Sequence, residues 1–207
     1  LAEELDASDM LGHLRNFPQD LAQAWKAAES WDFSTIENQQ YSGVICLGMG
    51  GSASGGDFLS CLSDADGCLP FIAHRGYDLP TWISEQWLVL STSYSGNTEE
   101  TIDATEAAIG LGCSVVGMSS GGALQKLLEE SNQIWIELPG GQPPRSAFGH
   151  IFGSQVALSW KLGITSPPQD LDLMIMLLQL PPFASALLIN YLLIFYDVPI
   201  IHLQITI

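Results

Sequence analysis

Five short, continuous apolar runs constrain the fold of this chain more than any other feature. They occupy residues 44–47, 69–73, 87–90, 114–118 and 134–138. Continuous apolar runs are typical of strands buried on both faces, as in a parallel sheet. Helix-like stretches at 54–63, 97–110 and 122–130 separate them. The alternation predicts an α/β fold, an open parallel sheet with helices on both faces in three α/β/α layers.

The flanking segments predict three regions along the 207 residues. Residues 8–30 have apolar positions near helical spacing, with Pro18 at a break or at the start of a second helix. A Gly/Pro-rich loop at 140–144 then precedes a last predicted helix at 146–162. We therefore predict a helical segment over 1–40, the α/β domain over 41–165 and an apolar tail over 166–207.

The charge balance restricts the classes of ligand. Six Lys and Arg stand against 23 Asp and Glu, a formal net charge of −17. Such a surface repels phosphate backbones, so we predict no nucleic-acid partner. It also repels phosphorylated small molecules, so any phosphate site must use backbone N–H groups, hydroxyls and helix dipoles.

The cysteines predict neither a metal site nor a disulfide framework. The chain has four, with no C-x-x-C pair and no matching histidine pair: Cys46, Cys61, Cys68 and Cys113. Reduced thiols in a cytosolic protein are the expected state. Residues 1–10 are acidic and lack an apolar core, which predicts no secretory signal.

A glycine-rich segment, GMGGSASGGD at residues 48–57, follows the first predicted strand. A Walker phosphate loop would need a lysine near its end, and none is there. A dinucleotide site is weakly matched by Gly48, Gly50 and Ala53, but it favours an acid after the second strand, where the chain has His74 and Arg75. A sugar-phosphate cradle and a tight turn without a ligand remain as further interpretations.

A second polar segment, STSYSGNTEET at residues 91–101, follows the third predicted strand and also begins a helix. Hydroxyls from Ser93, Ser95 and Thr98, with N–H groups at a helix start, can satisfy the oxygens of a phosphate monoester without a lysine. The alternative is a helix cap with neighbouring turn serines. Two hydroxyl-rich strand-to-helix turns in one sheet favour a binding function.

These two segments resemble those of the sugar isomerase (SIS) family. Their sequences are similar to those of the bifunctional phosphoglucose/phosphomannose isomerases. The segment PPRSA at residues 143–147 is similar to that subfamily as well. The resemblance implies a flavodoxin-like SIS domain in which Gly51 and Ser52 line the sugar-phosphate site. It further implies that Ser93, Ser95 and Thr98 hold the phosphate, while Arg145 lies beside the reacting carbons.

The implied reaction interconverts glucose 6-phosphate or mannose 6-phosphate with fructose 6-phosphate through an enediolate. A fixed guanidinium such as Arg145 suits the charge that develops on the enediolate oxygens. The resemblance also implies hexose 6-phosphate as the ligand, a homodimer, a cytoplasmic location, and no metal or other cofactor.

The general base is not evident from the sequence. In the family, the catalytic glutamate and a ring-opening histidine belong to a second SIS domain, and none of His13, His74, His150 and His202 matches that motif. His150 is placed to approach the Arg145 side of the site, but a helix-surface or packing histidine is the expectation. A non-catalytic phosphosugar-binding or regulatory module and a nicotinamide enzyme are therefore kept as alternatives.

The tail predicts no membrane anchor. Its apolar run at residues 183–196 is shorter than the roughly 20 residues of a spanning helix. No basic flank accompanies that run.

Overall fold

The computed structural model describes residues 6, 8–66 and 69–167, together with the single positions 175, 176, 178 and 179. The chain divides into two units, Leu1–Ser166 and Pro167–Ile207. The predicted apolar tail and its run at 183–196 lie almost wholly outside the described residues.

Helices and strands follow one another along the first unit in the predicted order. The helices are α1 (Met10–Arg15), α2 (Phe17–Ala28), α3 (Gly51–Asp66), α4 (Glu99–Leu111), α5 (Gly122–Glu130) and α6 (Phe148–Lys161). The strands are β1 (Gly43–Leu47), β2 (Phe71–His74), β3 (Trp87–Thr92), β4 (Ser114–Ser119) and β5 (Ile134–Glu137). Each predicted apolar run therefore forms a strand, with bounds shifted by at most two residues.

The five strands form one parallel sheet in the order β2-β1-β3-β4-β5. This flavodoxin-like order differs from the 3-2-1-4-5-6 order of dinucleotide-binding domains. The sheet confirms the predicted α/β class and weakens the dinucleotide interpretation of the glycine-rich segment. In such sheets, ligands bind beyond the carboxyl ends of the strands.

Both faces of the sheet are covered, as the continuous apolar runs predict. Along β1, Val44 and Cys46 join the core cluster that also contains Leu59 of α3 and Ile151 of α6. The alternate residues of that strand pack on the other side, in a cluster with Ala104 of α4 and Leu124 of α5. Successive side chains of a strand point to opposite faces, so two helical layers need an apolar residue at every position.

The helix α2 packs against the last helix, α6. Glycines allow the close approach: a Cβ at Gly149 would lie 2.7 Å from Asp20 Cβ, and one at Gly153 would lie 2.9 Å from Ala24 Cβ. Pro18 occupies the first turn of α2, where its missing N–H costs no helical hydrogen bond. This confirms that Pro18 marks a second helix start.

Within the described part of the chain, no helix has both the length and the apolar character needed to cross a bilayer.

Candidate functional site

Three loops follow strands at the carboxyl edge of the sheet. Loop 1 is residues 48–50, between β1 and α3. Loop 2 is residues 93–98, between β3 and α4. Loop 3 is residues 138–147, between β5 and α6. All the strands are parallel, so the three loops begin at the same edge, and together they contain or adjoin every site residue predicted from the sequence.

Glycines set the path of loop 1. Gly50 has φ +51°, a left-handed conformation that other residues adopt at a cost. A Cβ at Gly48 would lie 3.0 Å from the Thr92 carbonyl oxygen at the end of β3. Loop 1 therefore lies directly against the strand that leads into loop 2. Ser52, in the first turn of α3, is 8 % exposed, and Gly51 is partly exposed beside it.

The predicted phosphate hydroxyls of loop 2 lie together. Ser93 Oγ is 2.9 Å from Thr98 Oγ1 and accepts a long 3.4 Å hydrogen bond from the Thr98 backbone N–H. Ser93 is buried, Thr98 is partly buried and Ser95 is exposed. The loop thus presents Ser95 and Thr98 to solvent, with Ser93 beneath them, at the N-terminus of α4.

Contacts with the start of α5 fix the backbone of loop 2. Asn97 Oδ1 accepts a 3.1 Å hydrogen bond from the Ala123 N–H, and Asn97 Nδ2 donates one of 2.9 Å to the Ser95 carbonyl. A Cβ at Gly122 would lie 2.7 Å from that same Ser95 carbonyl oxygen. Loop 2 is therefore held in shape by the protein itself, without a ligand.

Tyr94 connects loop 2 to loop 3. Its hydroxyl donates a 2.9 Å hydrogen bond to the Pro139 carbonyl and accepts one of 3.2 Å from the Gln142 N–H. Its ring is buried. The sequence does not reveal this role of Tyr94, because nothing local indicates a partner 45 residues away.

Arg145 lies in loop 3 beside loop 1. Its side chain lines a cavity of about 330 Å³, together with Gly51 and Ser54 in the first turn of α3 and Ser146 of loop 3. Leu14, Phe17, Phe58 and Phe148 form the apolar part of the lining. Gly51 also approaches the Pro144 carbonyl, which lies 3.8 Å from a Cβ built on that glycine. The structure thus brings Arg145 and Gly51 to one rim.

The Arg145 guanidinium is exposed and has no hydrogen bond or ion pair with any other described residue. The other arginine near this edge, Arg75, is paired with Asp57. Lys161 is also engaged, since its ammonium donates to backbone carbonyls of residues 28 and 31. In this acidic protein, Arg145 is therefore a cation left available at the carboxyl edge.

His150 confirms the expectation of a packing histidine. It is buried, and its Nε2 lies 3.3 Å from Asp20 Oδ1 across the α2–α6 contact. Burial lowers the pKa of His150 below its ordinary value, and the nearby Asp20 carboxylate opposes that shift. Gln142 of loop 3 donates to the other Asp20 oxygen over 3.4 Å. The pair therefore supports loop 3 from behind rather than lining the cavity.

Gln155 is a second residue that the sequence analysis missed. It lies on α6, is fully buried, and donates to groups of β1, α3 and β3. An amide within the otherwise apolar face of a predicted helix is a signal that was available in the sequence, although it does not name the partners.

No family model matches the chain. The bifunctional phosphoglucose/phosphomannose isomerase of Caldicellulosiruptor bescii is 33 % identical over 162 residues, which is 78 % of this chain and 47 % of that protein. Its counterpart in Thermoplasma acidophilum is 36 % identical over 111 residues, 54 % of this chain and 34 % of that protein. The chain thus spans half or less of the length of these curated relatives.

Solved structures share the fold. The tagatose-6-phosphate ketose/aldose isomerase of Escherichia coli superposes with a TM-score of 0.65 at 17 % identity, over 87 % of this chain and 53 % of that one. At that identity the likeness supports the fold alone. The chain therefore resembles about half of a bifunctional phosphoglucose/phosphomannose isomerase in sequence and shares the fold of a sugar-phosphate isomerase, as expected of a partial sugar isomerase (SIS) domain.

Proposed function

We propose that this chain carries the phosphosugar-binding part of an isomerase that interconverts glucose 6-phosphate or mannose 6-phosphate with fructose 6-phosphate. The observation that carries the proposal is the unpaired Arg145 guanidinium at the rim shared by loop 1 and loop 3. An isomerase needs a fixed positive charge where negative charge develops, and a guanidinium remains protonated throughout.

Loop 2 is the proposed phosphate anchor. Ser95 and Thr98 face the phosphate oxygens, Ser93 supports Thr98 from below, and the first N–H groups of α4 supply further donors. Such an anchor uses no cation, which suits a chain with a net charge of −17. Binding energy from the phosphate then positions the sugar for the reaction.

The sugar is proposed to extend from loop 2 along Gly51 and Ser52 toward Arg145. A base removes the proton from C2 of the open-chain aldose, and the electron pair forms the C1–C2 double bond of an enediolate. Arg145 stabilises the oxygen that takes up the negative charge. Return of a proton to C1 and transfer of the C2 hydroxyl proton to O1 give the ketose, so no electron acceptor is needed.

The general base is assigned to a part of the enzyme outside the described residues. The cavity lining contains no carboxylate or imidazole within the described part of the chain, and His150 is buried against Asp20. The curated relatives are at least twice as long as the region they share with this chain.

We also propose a cytoplasmic homodimer that needs no metal or cofactor.

The lack of a carboxylate or imidazole in the described cavity lining also favours a second function. A module that binds a phosphosugar without converting it needs loop 2 but needs neither a base nor the Arg145 charge. The two functions therefore differ in what removal of Arg145 does to ligand binding and to turnover.

The test is an assay of the purified 207-residue chain with fructose 6-phosphate, following both glucose 6-phosphate and mannose 6-phosphate. Arg145→Ala is compared with Arg75→Ala, which removes an equal charge from an exposed ion pair that contributes about 0–1 kcal/mol. Turnover lost in Arg145→Ala and kept in Arg75→Ala supports the isomerase.

Binding without turnover is expected of both functions if the base lies outside the assayed chain, so the effect of Arg145→Ala on binding then decides. Weaker binding of fructose 6-phosphate in Arg145→Ala supports the isomerase, and unchanged binding that Ser95→Ala abolishes supports the binding module. If neither hexose 6-phosphate nor inorganic phosphate binds the chain at millimolar concentration, loop 2 is not a phosphate anchor and both functions are wrong.

A further inference from the structure

Gln155 lies where α6 crosses the sheet behind the candidate site. Its side chain is fully buried, with 0 % exposure. The structure places its Nε2 3.0 Å from Thr92 Oγ1, 3.3 Å from the Ser52 carbonyl oxygen and 3.5 Å from Cys46 Sγ. One amide group therefore contacts three different elements.

Those three elements are the ones that position the ligand loops. Thr92 is the last residue of β3 and immediately precedes loop 2. Ser52 belongs to the first turn of α3, immediately after loop 1. Cys46 lies in β1 just before loop 1, and burial raises the pKa of its thiol to about 12, so it remains a neutral partner. Gln155 therefore fixes the distance between loops 1 and 2.

The other end of the amide fits against a glycine. Gln155 Oε1 has no hydrogen-bond partner among the described residues. A Cβ at Gly55 would overlap this oxygen. Glycine in a helix interior is unfavourable relative to alanine, so the absence of a side chain at Gly55 indicates that the space is needed for the amide.

Stability does not account for this arrangement. A buried amide with an unsatisfied oxygen bears a desolvation penalty, whereas an apolar side chain of the same volume would add to the core. What the amide provides, and an apolar group does not, is directed hydrogen bonding to fixed acceptors. The geometry therefore favours a role in positioning.

We propose that Gln155 is a positioning residue: it holds the first turn of α3 and the end of β3 in register, so that loops 1 and 2 act on one ligand. The identity of that ligand rests on the proposed function, whereas the positioning of the loops does not depend on it. Gln155 touches neither loop's solvent-facing side, and it acts through Ser52 and Thr92.

The test compares Gln155→Met with Ser159→Ala. Methionine nearly matches the volume of glutamine and lacks its donors. Ser159 is the matched control, since it is buried on the same helix one turn later and bonds Val156 and Thr165 rather than the loops. Hydrogen exchange is measured by NMR on the ligand-free chain, at the N–H groups of residues 52–54, which bond back to loop 1.

We expect exchange at residues 52–54 to accelerate about fivefold or more in Gln155→Met, as loss of one net hydrogen bond implies, and to stay unchanged in Ser159→Ala. Gly55→Ala should produce the same acceleration by displacing the amide without removing it. Unchanged exchange in both Gln155→Met and Gly55→Ala, with both proteins folded, overturns the proposal.

Ligand affinity separates this proposal from the proposed function. If the wild-type chain binds fructose 6-phosphate, Gln155→Met should weaken binding about fivefold, and in an active form it should raise KM more than it lowers kcat. If the wild-type chain binds no phosphosugar, the proposed function fails, while the exchange rates still decide whether Gln155 positions the loops.

Discussion

The hydroxyl of Tyr94 joins the candidate phosphate loop to the loop of Arg145, so Tyr94→Phe tests whether the two act together. The substitution keeps the buried ring and deletes one donated and one accepted hydrogen bond. A net hydrogen bond contributes about 1 kcal/mol, and Pro139 is exposed enough for water to replace part of one. We therefore expect a loss of about 2 kcal/mol in the free energy of unfolding.

For a chain of this size, a loss of about 2 kcal/mol corresponds to a fall in Tm of roughly 4–8 °C. The control is Tyr41→Phe, which deletes the 3.1 Å hydrogen bond to the Ile36 carbonyl, far from the three loops. It should cost about 1 kcal/mol. Calorimetry and urea denaturation of both variants give the comparison.

Binding measurements show whether the two loops are coupled. Loop 2 keeps its other support in Tyr94→Phe, because Ser120 still donates to the Tyr94 carbonyl. Affinity for inorganic phosphate should therefore persist, while affinity for fructose 6-phosphate should fall about fivefold as loop 3, which carries Arg145, loses its link to loop 2. Equal losses of both affinities, or a loss of neither, would refute the coupling of loop 2 to Arg145.

Three further predictions concern stability. The unfolded chain protonates its histidines below about pH 6.5, whereas burial lowers the pKa of His150 in the folded chain. The free energy of unfolding should therefore fall as the pH decreases toward that lowered pKa. Urea midpoints at pH 7.5 and 5.5 should differ less in His150→Gln than in the wild-type chain. Gly96→Ala should cost more than about 2 kcal/mol in urea denaturation, because φ is +69° and the new Cβ would overlap the Gly121 carbonyl. Gly110→Ala, an exposed helical site with open space, should instead raise stability by about 0.5–1 kcal/mol in the same assay.

The strands and the polar loops were predictable because their signals are local. A run such as residues 44–47 is apolar at every position, and that pattern directly reflects burial on two faces. The hydroxyls of loop 2 follow a strand and begin a helix in the sequence itself. Local sequence signals therefore identified both the sheet and the edge at which its polar loops lie.

The helix bounds were less predictable where glycines are frequent. The sequence places the start of α3 near residue 54, whereas the helix begins at Gly51. Glycine disfavours a helix in isolation, but here the packing of Gly56 against Cys46 and the contact with Gln155 hold the first turn in place. Tertiary contacts overrode the local preference.

The supports of the site could not be predicted from local patterns. Gln155 lies 103 residues from Ser52, and Gln142 lies 122 residues from Asp20. Neither hydrophobic periodicity nor motif spacing carries information about partners so far apart in the chain. The sequence therefore indicated what the loops contain, while the structure shows what holds them.

The position of α6 has a consequence for the order of folding. It is the last helix of the first unit, yet it provides the packing surface for α2 and, through Gln155, the link to the first turn of α3. Contacts between distant parts of a chain close large loops, which slows folding. During synthesis, more than a hundred residues separate the end of α2 from the start of its partner helix α6. The carboxyl edge of the sheet is therefore expected to reach its final structure in the last step of folding.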